Sequence, residues 1–309
     1  CPSTDELRAS TKPTGDPDFL DPCDSFCDSG RALVYRRSGS KWSLEATLAA
    51  PDAACGARFG RAVAISGDRI LVGAQGGHPG ADNSPWDTVG AGYVFLYANG
   101  EWSGEATLTD TLDPEAGDHF GNSVALSGDY AVITARGDDA DILGTPNNKG
   151  SAFVFFRDPI QGWQLQQRIV PSDSQVYDWF GFSVDIDGDR IAVGAVRKAT
   201  QCAAQWPGMA YVFARSGTTW SQELPTLEAP AADCQLGNQY FGLAVALSGD
   251  CLAVGAPHYG TPFQRIGAVY TFCRAMNGTC GYKTRIDSPS TYVGTEFGSA
   301  LVLVGSRHV

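Results

Sequence analysis

Apolar and polar positions along this chain alternate in short runs, and the runs come back in the same order. Val63 and Ile65 stand apolar in a short strand that stops at Ser66-Gly67-Asp68, a tight turn of the Gly/Asp type that hairpins use. Ile70-Leu71-Val72 is a second strand, closed by Gly73-Ala74. After a variable stretch, Gly92 to Tyr97 is an aromatic third strand, Asn99-Gly100 turns it, and Trp102 to Leu108 is the fourth. Strands apolar on both faces are expected to be buried on both faces.

The unit opens on Phe59-Gly60, and its phrase returns at Phe120, Phe180 and Phe241, each time ending on an Asp: Asp68, Asp129, Asp189 and Asp250. A degenerate copy opens at Phe297-Gly298, and the Phe positions differ by 61, 60, 61 and 56. A period near 60 made of strands predicts a ring of sheets. Residues 31–48 read as a third and fourth strand without a first and second, and Phe297 to Val309 as a first strand with a short second. The prediction is therefore all-β: a five-bladed β-propeller of four-stranded antiparallel blades, one blade closed by strands from both termini. Its limits are 30–309, and residues 1–29, with four prolines, seven acidic residues and no periodicity, are expected to form an extended arm.

The recurring Phe-Gly, with Val72-Gly73-Ala74, Val193-Gly194-Ala195 and Val254-Gly255-Ala256-Pro257, resembles the FG-GAP repeat family, which includes the propeller heads of integrin α subunits and many secreted microbial proteins. Ile133-Thr134-Ala135 is a degraded copy. The resemblance covers about residues 30–309 and implies a secreted or cell-surface protein. Many blades of that family resemble calcium modules with a D-x-D-x-D-G loop; here the loop is only Ser-Gly-Asp, or Asp187-Gly188-Asp189, too short for six to eight oxygen ligands, so no metal and no cofactor is expected.

In such a meander the loops after second strands and between units share one face, where binding residues are expected. The first set carries Trp86, Trp206 and Phe263, and the second Trp179 and Tyr240. Exposed, these rings would anchor a protein or stack on sugars; inward, they cover the ends of the blades. Arg136-Gly137-Asp138 is an RGD tripeptide in one loop, open to an integrin-type reading or to that of an ordinary turn. With Asp139 and Asp141, Asp138 makes a short acidic cluster.

Composition narrows the classes. A net charge of −12 repels phosphate-coated partners, so nucleic acid is not expected, and no run is long enough for a membrane span. Nine cysteines without zinc spacing point to disulfides and an oxidising compartment. Equivalence of loops pairs Cys202 with Cys234 and Cys23 or Cys27 with Cys55; Cys273 and Cys280 flank a hairpin turn and are expected to staple it, leaving Cys251 and amino-terminal cysteines over. Asn277-Gly278-Thr279 is a glycosylation sequon. The chain starts at Cys1 without a Met, as in a processed or partial product; residues 1–29 read as a tied tail, an arm to a neighbouring copy, or a lipid-modified terminus.

His78, His119, His258 and His308 fall at different places in the unit and no G-x-S-x-G elbow appears, so no enzyme is expected. The expectation is a non-catalytic extracellular scaffold for adhesion or assembly through protein contacts, copies of itself included. A lectin-like carbohydrate module is the alternative.

Overall fold

A computed structural model describes residues 6–10, 29–52, 56–76, 89–115, 117–139, 148–200, 206–233, 239–261, 264–274, 280–290 and 292–304. Trp86, Phe263, Asp141, Asn277, Cys1, Cys23, Cys27, Cys55, Cys202 and Cys234 lie outside them. The described residues are all-β. The first sheet holds β1 (Glu6–Ser10), β2 (Arg31–Ser38) and β3 (Lys41–Leu48). The second holds β4 (Ala62–Ser66), β5 (Arg69–Ala74), β6 (Ala91–Ala98) and β7 (Glu101–Leu108). The third holds β8 (Phe120–Ser127), β9 (Tyr130–Ala135), β10 (Ser151–Asp158) and β11 (Gly162–Ile169). The fourth holds β12 (Phe180–Asp187), β13 (Arg190–Ala195), β14 (Met209–Ser216) and β15 (Thr219–Leu227). In the fifth, β16 (Val245–Ser248) and β17 (Cys251–Ala256) precede a small hairpin of β18 (Gly260–Thr261) and β19 (Gln264–Arg265), then come β20 (Ala268–Arg274) and β21 (Cys280–Asp287). Four sheets are thus four-stranded antiparallel meanders, consistent with a β-propeller. The chain packs as two compact units, residues 1–138 with 153–165 and residues 139–152 with 166–309.

The apolar runs bury both faces of a strand, as their pattern demands. In the first unit, Ile70 and Val72 pack with Ala32, Val34 and Phe59. Leu71, between them in sequence, packs on the other side with Phe120, Ile133 and Phe153. The second unit repeats this with Val212, Phe241, Val254 and Tyr270. The recurring Phe explains its own recurrence. The Phe120 ring meets Phe153 and Phe155 edge-on, at 5.1 and 6.4 Å between centroids. The Phe120 N–H donates to the carbonyl of Val89 in the preceding sheet, and a parallel bridge joins it to Gly90. Gly90 has φ +88°, and a Cβ there would lie 1.9 Å from the Phe120 carbonyl oxygen, so only glycine fits. The same pair recurs in the second unit as Gly208 with Phe241.

The tight-turn end carries a second repeated device. Glu105 of β7 accepts from Arg69 of β5 at 2.8 Å, from Arg157 of β10 at 3.0 Å, and from the Trp163 indole of β11 at 3.2 Å. In the second unit Glu223 of β15 faces Arg190 of β13 at 2.8 Å and Arg274 of β20 at 3.7 Å. The recurring Asp of each turn is structural as well. The backbone carbonyls of Asp129 and Asp189 accept the N–H of Arg157 and Arg215, whose guanidinium groups pair with the same two carboxylates.

Two expectations differ from the structure. Cys273 does not staple to Cys280. Cys251 stands directly opposite Cys273 across β17 and β20, with Cα atoms 4.1 Å apart, and the two form a disulfide. The register of β20 and β21 sets Gly281, not Cys280, opposite Cys273. The second difference is at the amino terminus, where Glu6–Ser10 is a strand antiparallel to β2. Its register is that of a second strand: Leu7 faces Val34 and Ser10 faces Arg31, as Leu71 faces Val94 and Ala74 faces Ala91 in the next sheet. β1 thus occupies the place the sequence assigns to the carboxy-terminal end, and gives β2 the partner it otherwise lacks. Phe297 bridges to Gly267, and residues 301–304 carry no strand.

Candidate functional site

A meander sends the loops after its second strand and after its fourth strand to one end, and backbone bonds tie these loops together here. In the second unit the N–H of Arg197 donates to Asp178, and that of His258 to Gln239. In the first unit the N–H of Gly76 donates to Ala57 and that of Gly137 to Asp118.

Each loop that enters a new sheet bends at the residue before Phe-Gly. The carbonyl of His119 accepts the N–H of Asn122, and that of Tyr240 the N–H of Leu243. This bend puts Arg58, His119, Trp179, Tyr240 and Glu296 in the left-handed region, with φ between 49° and 56°. Gly, Asn or Asp would take that conformation with least strain, and other residues lose roughly 1–2 kcal/mol there. The chain never uses one of the three, and its five choices all have long, functional side chains. Strain held at a repeated position points to a use for the side chain. Trp179 and Tyr240 belong to the aromatics expected to bind; Arg58, His119 and Glu296 do not, although the same signal, the residue before each Phe-Gly, marks all five.

The second unit displays the aromatic side chains. Trp206 is 38% exposed and also left-handed, at φ 52°. Tyr177, at φ 66°, and Val176 are exposed on the loop that leads to Trp179, and Tyr292 and Val293 are exposed on the loop that leads to Glu296. Trp179 lies between the two extremes of burial and stacks on Phe182, with centroids 6.3 Å apart.

Charge is distributed unevenly among these rings. The Arg197 guanidinium carbon sits 3.5 Å from the Trp179 ring centre and 4.7 Å from that of Trp206. Next to it, Lys198 is buried and takes Asp178 at 2.9 Å, with the Asp173 carboxylate at 3.4 Å. Burial pushes the Asp178 carboxyl up, against the opposing pull of Lys198. Tyr211 donates to Asp173 at 3.1 Å. On the next loop His258 packs edge-on against Tyr240 at 4.7 Å, with Arg265 at 3.4 Å and Glu296 at 3.9 Å. Burial and Arg265 push its imidazole below the usual range, with Glu296 opposing.

The first unit is arranged differently. The RGD tripeptide is not displayed: Asp138 is 2% exposed, Gly137 is buried against Gly117, and the Arg136 Nε donates to the Asn122 side chain. A Cβ on Gly137 would lie 2.1 Å from the Gly117 carbonyl oxygen, so the glycine serves the turn and the tripeptide is part of the fold. Asp118 beneath it is buried, and burial raises its carboxyl to about 7, with Asp138, Glu115 and Asp110 adding to the rise. Burial, with Arg136 and Arg58 nearby, lowers His119 to about 4. Asp139, the first residue of the second unit, accepts the backbone N–H of Asn148. Among the described residues no group of three His, Cys, Asp or Glu side chains is placed to hold a metal ion.

Four stretches of the chain, residues 42–95, 102–155, 163–213 and 231–272, match the FG-GAP repeat, so the chain belongs to the FG-GAP repeat family. No curated protein matches it. FG-GAP repeats build β-propeller-type domains that mediate protein interactions and are typical of extracellular proteins.

Proposed function

We propose that this chain is a non-catalytic extracellular scaffold, acting through protein contacts in adhesion or in the assembly of a surface structure. The loop face of the second unit is its contact surface. One observation carries the reading: Tyr177, Trp179, Trp206 and Tyr240 hold aromatic rings on strained left-handed backbone at one end of the sheets. Large rigid rings of this kind contribute most of the energy in protein interfaces. The Cys251–Cys273 disulfide supports an oxidising compartment. The same reading keeps the five-blade count.

The test is electron microscopy of the native material, together with capture of surface partners by the chain and by a Trp179→Ala/Trp206→Ala variant. Polymers or captured partners that the double variant loses are expected. Equal capture by both proteins, with single particles only, would sink the reading. A second reading, a lectin-like contact, has the exposed Trp206 indole in its favour. It predicts that a glycan array gives binding that Trp206→Ala abolishes.

A further inference from the structure

We propose that Arg197 is a carboxylate receptor, and that its occupant is the Asp-rich amino-terminal segment, residues 11–28, of a second copy of this chain. The proposal rests on the loop face being a protein-contact surface and names the partner. Arg69, Arg157, Arg190 and Arg274 each hold a carboxylate. Among the described residues Arg197 holds none, and its Nε is buried without a hydrogen-bond partner. Asp178, whose backbone carbonyl accepts the Arg197 N–H, has its carboxylate committed to Lys198. A guanidinium donor removed from water and left unpaired is costly, and an incoming carboxylate would satisfy it through the planar fork of donors. Trp179 and Trp206 hold that fork in place, so little side-chain freedom is lost on binding.

The occupant follows from complementarity. Beside the Arg197 guanidinium stands the exposed Trp206 ring, and Val176 and Tyr177 are exposed on the loop whose Asp178 carbonyl accepts the Arg197 N–H. Residues 11–28 hold five Asp and one Lys, with Phe19, Leu20 and Phe26 interspersed among the carboxylates. Carboxylates beside apolar side chains match a guanidinium beside indoles, which a plain anion or a neutral sugar does not. A segment that binds a different surface on another copy makes a heterologous contact unless the two copies reciprocate it, and open contacts of that kind propagate into rings or filaments.

The test uses the full chain and a synthetic peptide of residues 11–28 with serine at both cysteines, titrated by calorimetry. Binding is expected to weaken about tenfold or more in Arg197→Gln and less in Trp206→Ala. It should vanish when Asp16, Asp18 and Asp21 of the peptide become Asn. Arg197→Lys keeps the charge without the fork and should recover only part of the affinity. Sedimentation velocity should show association of the wild type that Arg197→Gln loses while its near-ultraviolet circular dichroism stays native. Equal peptide binding by wild type and Arg197→Gln would overturn the proposal. If the peptide does not bind but another acidic protein or an anionic glycan does, in an Arg197-dependent way, the segment is wrong while the contact surface stands. If no partner is sensitive to Arg197, Trp179 or Trp206, both readings fall.

Discussion

Two neighbouring residues, Asp118 and His119, carry opposite pH dependences within one loop of the first unit. Asp118 titrates near 7 in the fold because burial penalises its carboxylate, against about 3.9 in an unfolded chain. The folded state therefore holds the extra proton between these values, and stability falls as pH rises from about 4 to 7. His119 titrates near 4 in the fold because burial penalises its imidazolium, against about 6.5 unfolded. Here the unfolded state holds the extra proton, and stability rises over pH 4 to 6.5. Each slope has a ceiling of about 1.4 kcal/mol per pH unit, and over the shared window the two cancel. Relative to wild type, Asp118→Asn should gain stability with rising pH from about 4 to 7, and His119→Gln should lose it from about 4 to 6.5. Denaturant titrations at pH 4.5, 5.5 and 6.5 check this, and parallel curves for all three proteins would refute it. Neither group was legible in the sequence. The pattern places both in a loop, where groups are ordinarily solvated, and only the packing of that loop under Gly137 and Asp138 buries them.

At the scale of the element, a fourth strand is held to the next sheet by one glutamate. Glu105 resists ionisation through burial, but the hydrogen bonds of Arg69, Trp163 and Arg157 outweigh that and hold its carboxyl below the usual range. Its side chain is 17% exposed, so solvent screens these bonds only in part. Glu105→Ala removes the acceptor shared by two guanidinium groups and an indole, and should cost about 2–3 kcal/mol. Glu105→Gln keeps an oxygen for the indole and should cost less. Chemical denaturation of the two variants is the measurement, and equal losses would mean that packing of the stem, not the carboxylate, holds β7. The sequence carries a signal for this device in Trp102-Ser103-Gly104-Glu105 and Trp220-Ser221-Gln222-Glu223, the same spacing in two units. The repeat phrase identified the strands and their turns, because alternation and Gly-Asp turns are local. The β1 strand was not legible, because E-L-R-A-S is too short to show a period and its partner lies more than twenty residues away. The Cys251–Cys273 pair was missed for a related reason: it depends on cross-strand register rather than on nearness to a turn.

For the whole molecule, charge sets two effects against each other. The net charge of −12 gives long-range self-repulsion, which opposes compaction and is screened beyond about 10 Å at 0.1 M salt. The ion pairs at the tight-turn end are favourable, and salt weakens exposed pairs as well. Their geometry decides the balance. The Arg69–Glu105 and Arg190–Glu223 pairs are 2.8 Å apart with side chains 8–17% exposed, so counterions reach them poorly. Repulsion among the remaining acidic groups acts over distances that salt removes almost entirely. Raising sodium chloride from about 10 to 150 mM should therefore raise Tm, by about 2–4 °C for each kcal/mol of repulsion relieved. Scanning calorimetry at the two concentrations measures it. A fall in Tm would show that the guanidinium–carboxylate pairs dominate and are open to solvent, and the same result would predict that Glu105→Ala loses most of its effect at high salt.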